Sequence, residues 1–110
     1  MGWDADLICP TCECSKDHWG HTYNTNKMIR QALSKCGFSN FEWTDLLNGQ
    51  SGKTGGDFLS IIIDEMELNK PEYVALNPEN GWGSYDSILR VLREMRDAGK
   101  DNPARIFRIT

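Results

Sequence analysis

No stretch of this 110-residue chain is apolar for long. The longest run, Ile61 to Ile63 with Phe58, Leu59 and Met66 around it, falls far short of the ~20 residues that a helix needs to cross a bilayer. Asp4 and Asp6 stand where a secretory leader would carry its apolar segment, so a cytoplasmic location is expected. Basic charge is also scarce. The 12 Lys and Arg are outnumbered by 16 Asp and Glu, for a net charge of -4, which argues against binding the phosphate backbone of nucleic acid. Cysteine is limited to four residues, read as ligands or buried thiols in a reducing compartment rather than as a disulfide framework. Internal repeats, serine-nucleophile motifs and paired catalytic carboxylates are missing, and Asp64, Glu65 and Glu67 read as the solvated side of a helix. Gly49 to Thr54 looks like the end of a phosphate-binding loop. The pattern requires a glycine where Leu47 stands, and no buried strand leads into it. The leading expectation is therefore a non-enzymatic protein, with the enzyme question open and a hydrolase using a bound metal as a further alternative.

What the chain does have is enough for one globular domain over residues 1–110. Its composition is 39% hydrophobic and 25% charged, in the range of an ordinary folded protein. Leu7 to Cys9 reads as a short strand, followed by a Cys- and His-rich arm over 9–21 without periodicity. Met28, Ile29, Ala32, Leu33 and Cys36 recur on one helical face, with Asn24, Thr25 and Asn26 as N-cap candidates and Gly37 as terminator. This places Cys36 in the core. Phe38, Phe41 and Trp43 mark a short helical turn or irregular piece, and Asn48 to Gly56 a mobile glycine-rich loop. Asp57 then caps a second helix reaching about Asn69, and Pro71 opens a short one ending near Leu76. Ser84 caps a last amphipathic helix carrying Ile88, Leu89, Val91, Leu92 and Met95, which Gly99 ends. Residues 104–109 form a terminal strand that can pair with the one near Leu7. The fold class is α+β: a mainly helical single domain with three principal helices and a small terminal β-sheet.

Two constellations carry chemistry. The first is the loop from Asn77 to Asp86, NPENGWGSYD. Asn77 precedes a proline and is pushed toward extended backbone, while Asn80 and Gly81 turn the chain sharply. Trp82 and Tyr85 add flat surface with polar edges. Turn chemistry and helix capping alone explain most of these residue types. The functional reading is a binding loop of Asn77, Asn80, Trp82 and Tyr85 facing Asn24 across a cleft. The second constellation is Cys9, Cys12, Cys14, His18 and His21, a candidate structural zinc site. Cys9, Cys12 and His21 would be joined by Cys14 or His18, since four protein ligands close a tetrahedral site. Free thiols in a loose arm are the alternative.

The segment Thr22, Tyr23, Asn24, Thr25, Asn26, Lys27, Met28, taken with the later NPENGWGSYD loop and its amphipathic helix, resembles a family of small uncharacterised proteins of bacteriophage genomes and prophages. That family usually carries a histidine where this chain has Tyr23. The resemblance spans Thr22 to the C-terminus in outline and is specific only over Asn77 to Asp86. It implies a phage accessory protein in the cytoplasm of a bacterial host cell. The leading expectation is a non-enzymatic protein that binds and modulates a host protein, with counter-defence as one such role. A small-molecule or nucleotide-binding protein and a small structural zinc-binding protein are the alternatives.

Overall fold

The computed structural model describes residues 2–38 and 42–110. A three-stranded antiparallel sheet holds β1 (Gly2–Ile8) between β2 (Ser15–Thr22) and β3 (Ile106–Ile109). Between β2 and β3 run α1 (Asn26–Lys35), α2 (Trp43–Leu47), α3 (Gly52–Leu68), α4 (Lys70–Val74) and α5 (Tyr85–Asp101), with a 3-10 turn, Tyr23–Thr25, leading into α1. The class is α+β, as expected. Five helices rather than three occur among the described residues, because the short α2 and α4 accompany the longer α1, α3 and α5.

The sheet is half-buried, and its alternation shows why. Trp3, Ala5 and Leu7 face the helices and are buried, while Asp4 and Asp6 point the other way beside His18 and Arg108. The first strand thus begins five residues earlier than Leu7. The Cys/His-rich arm expected over 9–21 is mostly β2, which hides from pattern reading because Trp19 is its one large apolar side chain. From the helical side Met28, Ile29, Leu33, Leu59, Ile62, Ile63, Met66, Ile88, Leu92 and Met95 close one continuous core, with Phe107 of β3 inside it. Trp3 and Trp43 meet edge to face at 4.8 Å between ring centres, an arrangement worth about 0.5–1.5 kcal/mol beyond the area it buries. Phe41 lies outside the described residues.

Glycine positions account for the main corrections. The stretch expected as a mobile loop over Asn48 to Gly56 is ordered. Gly49 N donates to Phe107 O at 2.8 Å, Phe107 N to Gln50 O at 2.8 Å and Gly52 N to Arg105 O at 2.6 Å, so the segment lines the free edge of β3. Ser51, not Asp57, then caps α3, its side chain accepting from Thr54 N at 3.1 Å. Gly52, Gly55 and Gly56 occupy the first turns of α3 and are buried. A side chain at Gly52 would strike the carbonyl oxygens of Asn102 and Gly99, and one at Gly55 the ring of Phe107. Gly99 is likewise interior to α5, which continues to Asp101. A side chain there would strike Gly52 O. These glycines act by letting two helix backbones approach, a use that local propensity reads as chain flexibility.

Candidate binding loop and thiol turn

The loop between α4 and α5 is built by side chains that answer backbone groups. Asn80 Oδ1 accepts from Trp82 N at 2.9 Å, and Asn77 Oδ1 accepts from Tyr85 N at 2.8 Å. Ser84 caps α5 in a reciprocal box with Ser87: Ser87 N donates to Ser84 Oγ at 3.1 Å, and Ser84 N donates to Ser87 Oγ at 2.8 Å. Gly81 and Gly83 take positive φ, 74° and 88°. Gly83 also lies against the methyls of Thr22 and Thr25 and the ring of His21, so the loop is seated on the end of β2 and the turn before α1. His21 completes the joint, with Nε2 at 3.0 Å from Ser87 Oγ and Nδ1 at 3.1 Å from Thr25 Oγ1.

This seating places Asn24, Asn77 and Asn80 together. They line one open groove of about 570 Å³ with Lys27, Ala75, Pro78 and Glu79. Trp82 stands on the same loop with 69% of its surface exposed, without lining the groove. Tyr85 does not join them. It is buried, its hydroxyl donates to Met66 O at 3.0 Å, and burial raises its pKa. The expected outward display by Tyr85 is corrected: as the first residue of α5 its side chain turns inward under the loop, and Lys70 Nζ lies 5.8 Å from its ring centre. Gly83, which holds the loop to the sheet, was not among the expected site residues, and His21 was expected as a zinc ligand rather than as part of this joint. The GWGS spacing signals a close backbone approach at Gly83, but the partner surface comes from a strand with no apolar pattern.

The five expected metal ligands are not brought together. His18 and His21 are three residues apart on β2, hence on opposite faces of the sheet. His18 lies on the outer face with Nδ1 2.9 Å from Asp6 Oδ1 and Nε2 3.4 Å from Asp4 Oδ1. The hydrogen bond to Asp6 and the charges of both carboxylates raise its pKa, and the same bond lowers that of Asp6. His21 faces the helices. Among the described residues no three His, Cys, Asp or Glu side chains form a group suited to a metal ion. Cys36 is exposed at the end of α1 rather than in the core, because the helix closes there through Gly37 at φ 92°.

Cys9, Cys12 and Cys14 share the turn joining β1 to β2. Cys9 N donates to Cys14 O at 2.9 Å and Glu13 N to Cys9 O at 2.8 Å, while Arg105 Nη1 donates to Cys14 O at 3.0 Å. Glu13 carries a φ of 59°, the one positive value outside glycine among the described residues. The Sγ atoms of Cys12 and Cys14 are in contact at 2.6 Å, both residues being exposed. Amide donation from Cys12 and Thr11 lowers the Cys9 thiol pKa to about 7, and the neighbouring Cys14 thiol raises that of Cys12.

Compared with protein-family models, with curated proteins and with solved structures, the chain matches none.

Proposed function

We propose that the protein is a non-enzymatic binding protein that engages another protein through the loop carrying Trp82 and the groove beside it. The observation that carries this reading is the combination of exposure and fixation at Trp82. A large indole is left 69% exposed on a segment held by the Asn80 turn, by the Asn77 bond to α5 and by the Ser84–Ser87 cap. An exposed aromatic on a rigid support loses little conformational entropy when covered, which is why Trp dominates binding hot spots. The groove adds amide groups of Asn24, Asn77 and Asn80 and opposite charges at Lys27 and Glu79, suited to hydrogen bonding a partner's rim.

The resemblance of Thr22 to Met28 and of the NPENGWGSYD loop to phage and prophage proteins supports the role of a phage accessory protein acting on a host protein in the bacterial cytoplasm. The test is paired affinity capture from bacterial lysate with the wild type and Trp82→Ala, followed by titration of the protein recovered. Loss of that partner with Trp82→Ala is expected, and equal recovery by both refutes the loop as the contact. A second reading places a small anionic molecule or nucleotide in the same groove, favoured by Lys27 beside three amide side chains. A thermal-shift series with nucleotides checks it: stabilisation in the wild type that Lys27→Ala abolishes supports it, and no stabilisation dismisses it.

A further inference from the structure

The turn between β1 and β2 is unlike an ordinary hairpin connection. Two thiols flank a single residue, Glu13, which has left-handed backbone, and their sulfurs lie 2.6 Å apart while both residues are exposed. A left-handed conformation is unfavourable for a non-glycine residue, so it persists only where the surroundings impose it. Here they do. The main chain closes on itself through Cys9 and Cys14, and Arg105, just ahead of β3, clamps the carbonyl of Cys14 and reaches that of Leu7 at 3.4 Å. The turn therefore holds the two sulfurs within reach of each other before any bond forms.

We propose that Cys12 and Cys14 are a reversible dithiol that exchanges with a disulfide-bearing partner molecule of the glutathione disulfide class. In the first step the thiolate of one cysteine attacks a sulfur of the partner disulfide. A mixed disulfide forms, and the other half leaves as a thiolate that takes up a proton. The second cysteine loses its proton to solvent, and its thiolate attacks the protein-side sulfur. The Cys12–Cys14 bond forms and the remaining half of the partner leaves as a thiol. Two protein thiols are oxidised and one partner disulfide is reduced to two thiols. The exposure of both residues supplies the access that exchange requires. The site is independent of the Trp82 loop, so failure of one leaves the other standing.

The test equilibrates the full chain with reduced and oxidised glutathione at increasing oxidised fraction, blocks free thiols and maps the product by mass spectrometry. The expected result is loss of two reactive thiols, with fragmentation assigning the bond to Cys12 and Cys14. Cys36→Ser should behave as wild type. Cys12→Ser and Cys14→Ser should each lose the internal bond and accumulate the glutathione adduct instead, with unchanged far-ultraviolet circular dichroism. Four free thiols at the most oxidising ratio, a bond mapped to Cys9 or to a second chain, or stoichiometric zinc that blocks exchange would each overturn the proposal. Should either serine variant fail to fold, the wild-type bond assignment decides alone.

Discussion

At the scale of single residues, the loop before α5 separates side chains that build it from the one that it presents. Gly81 and Gly83 both adopt positive φ, but a side chain at Gly81 meets open space, whereas one at Gly83 would come within 2.8 Å of Thr22 Cγ2 and 2.9 Å of Thr25 Cγ2. Gly81→Ala should therefore cost only the backbone term, about 1 kcal/mol, and Gly83→Ala about 2–3 kcal/mol, since the second adds overpacking. Urea denaturation midpoints of the two variants check the order. Trp82→Ala should change stability by less than about 0.5 kcal/mol, because an exposed ring has little packing to lose. Most of this loop was legible in the sequence: Ser84 as a cap, the turn at Asn80 and Gly81, and a cleft shared with Asn24. Tyr85 was misread because a tyrosine at the first position of a helix looks the same whether it faces outward or is drawn under the loop by the core behind it.

Between elements, α3 and α5 meet through glycine backbone. An alanine at Gly99 would gain about 1 kcal/mol of helix propensity on its own. Its Cβ would lie 2.7 Å from Gly52 O and 2.9 Å from Phe107 Cζ, and relieving contact with backbone means moving a helix. Gly99→Ala is expected to destabilise by a net 1–2 kcal/mol, read as a lower melting temperature. A gain in stability would show that the seam has slack.

A second joint links α1, α3 and α4. Glu65 accepts from Tyr73 OH at 2.7 Å and from Asn69 Nδ2 at 2.9 Å, and Lys35 Nζ lies 3.0 Å from it and 2.8 Å from Glu72. The Tyr73 hydroxyl first, and then Lys35 and Asn69, lower the Glu65 pKa below the ordinary carboxylate value. The folded state then binds its proton less readily than the unfolded state. The stabilisation is present above the unfolded pKa, near about 4.3, and is lost as pH falls through the lower folded one. Glu65→Gln should flatten that acid loss while lowering stability at pH 7 by about 1–2 kcal/mol, as measured by denaturation at both pH values. An unchanged acid slope would contradict the assignment. The helices themselves were readable from periodicity. The start of α3 and the end of α5 were not, because Gly52, Gly55 and Gly99 serve a tertiary contact that no local window contains.

For the whole molecule, the sheet ties the two ends of the described chain together. β1 receives β2 on one edge and β3 on the other, with Asp4 N donating to Thr110 O at 3.0 Å and Thr110 N to Asp4 O at 2.8 Å. Phe107 enters the common core only through β3. Pairing of a terminal strand with the one near Leu7 was visible in the sequence from its apolar residues. β2 was not, since an edge strand with one large apolar side chain lacks the alternation that marks the other two. The separation of the two histidines has the same origin: once His18 and His21 belong to a strand, their odd spacing sends them to opposite faces.

The proposed function requires the exposed indole of Trp82 to be a contact surface. Under the proposed function, the most direct measurement is the affinity of any protein that the wild type captures from bacterial lysate, for the wild type and for Trp82→Ala, made alongside their melting temperatures. A loss of tenfold or more, about 1.4 kcal/mol, at unchanged melting temperature is the predicted result. Equal affinity of the two chains would contradict it.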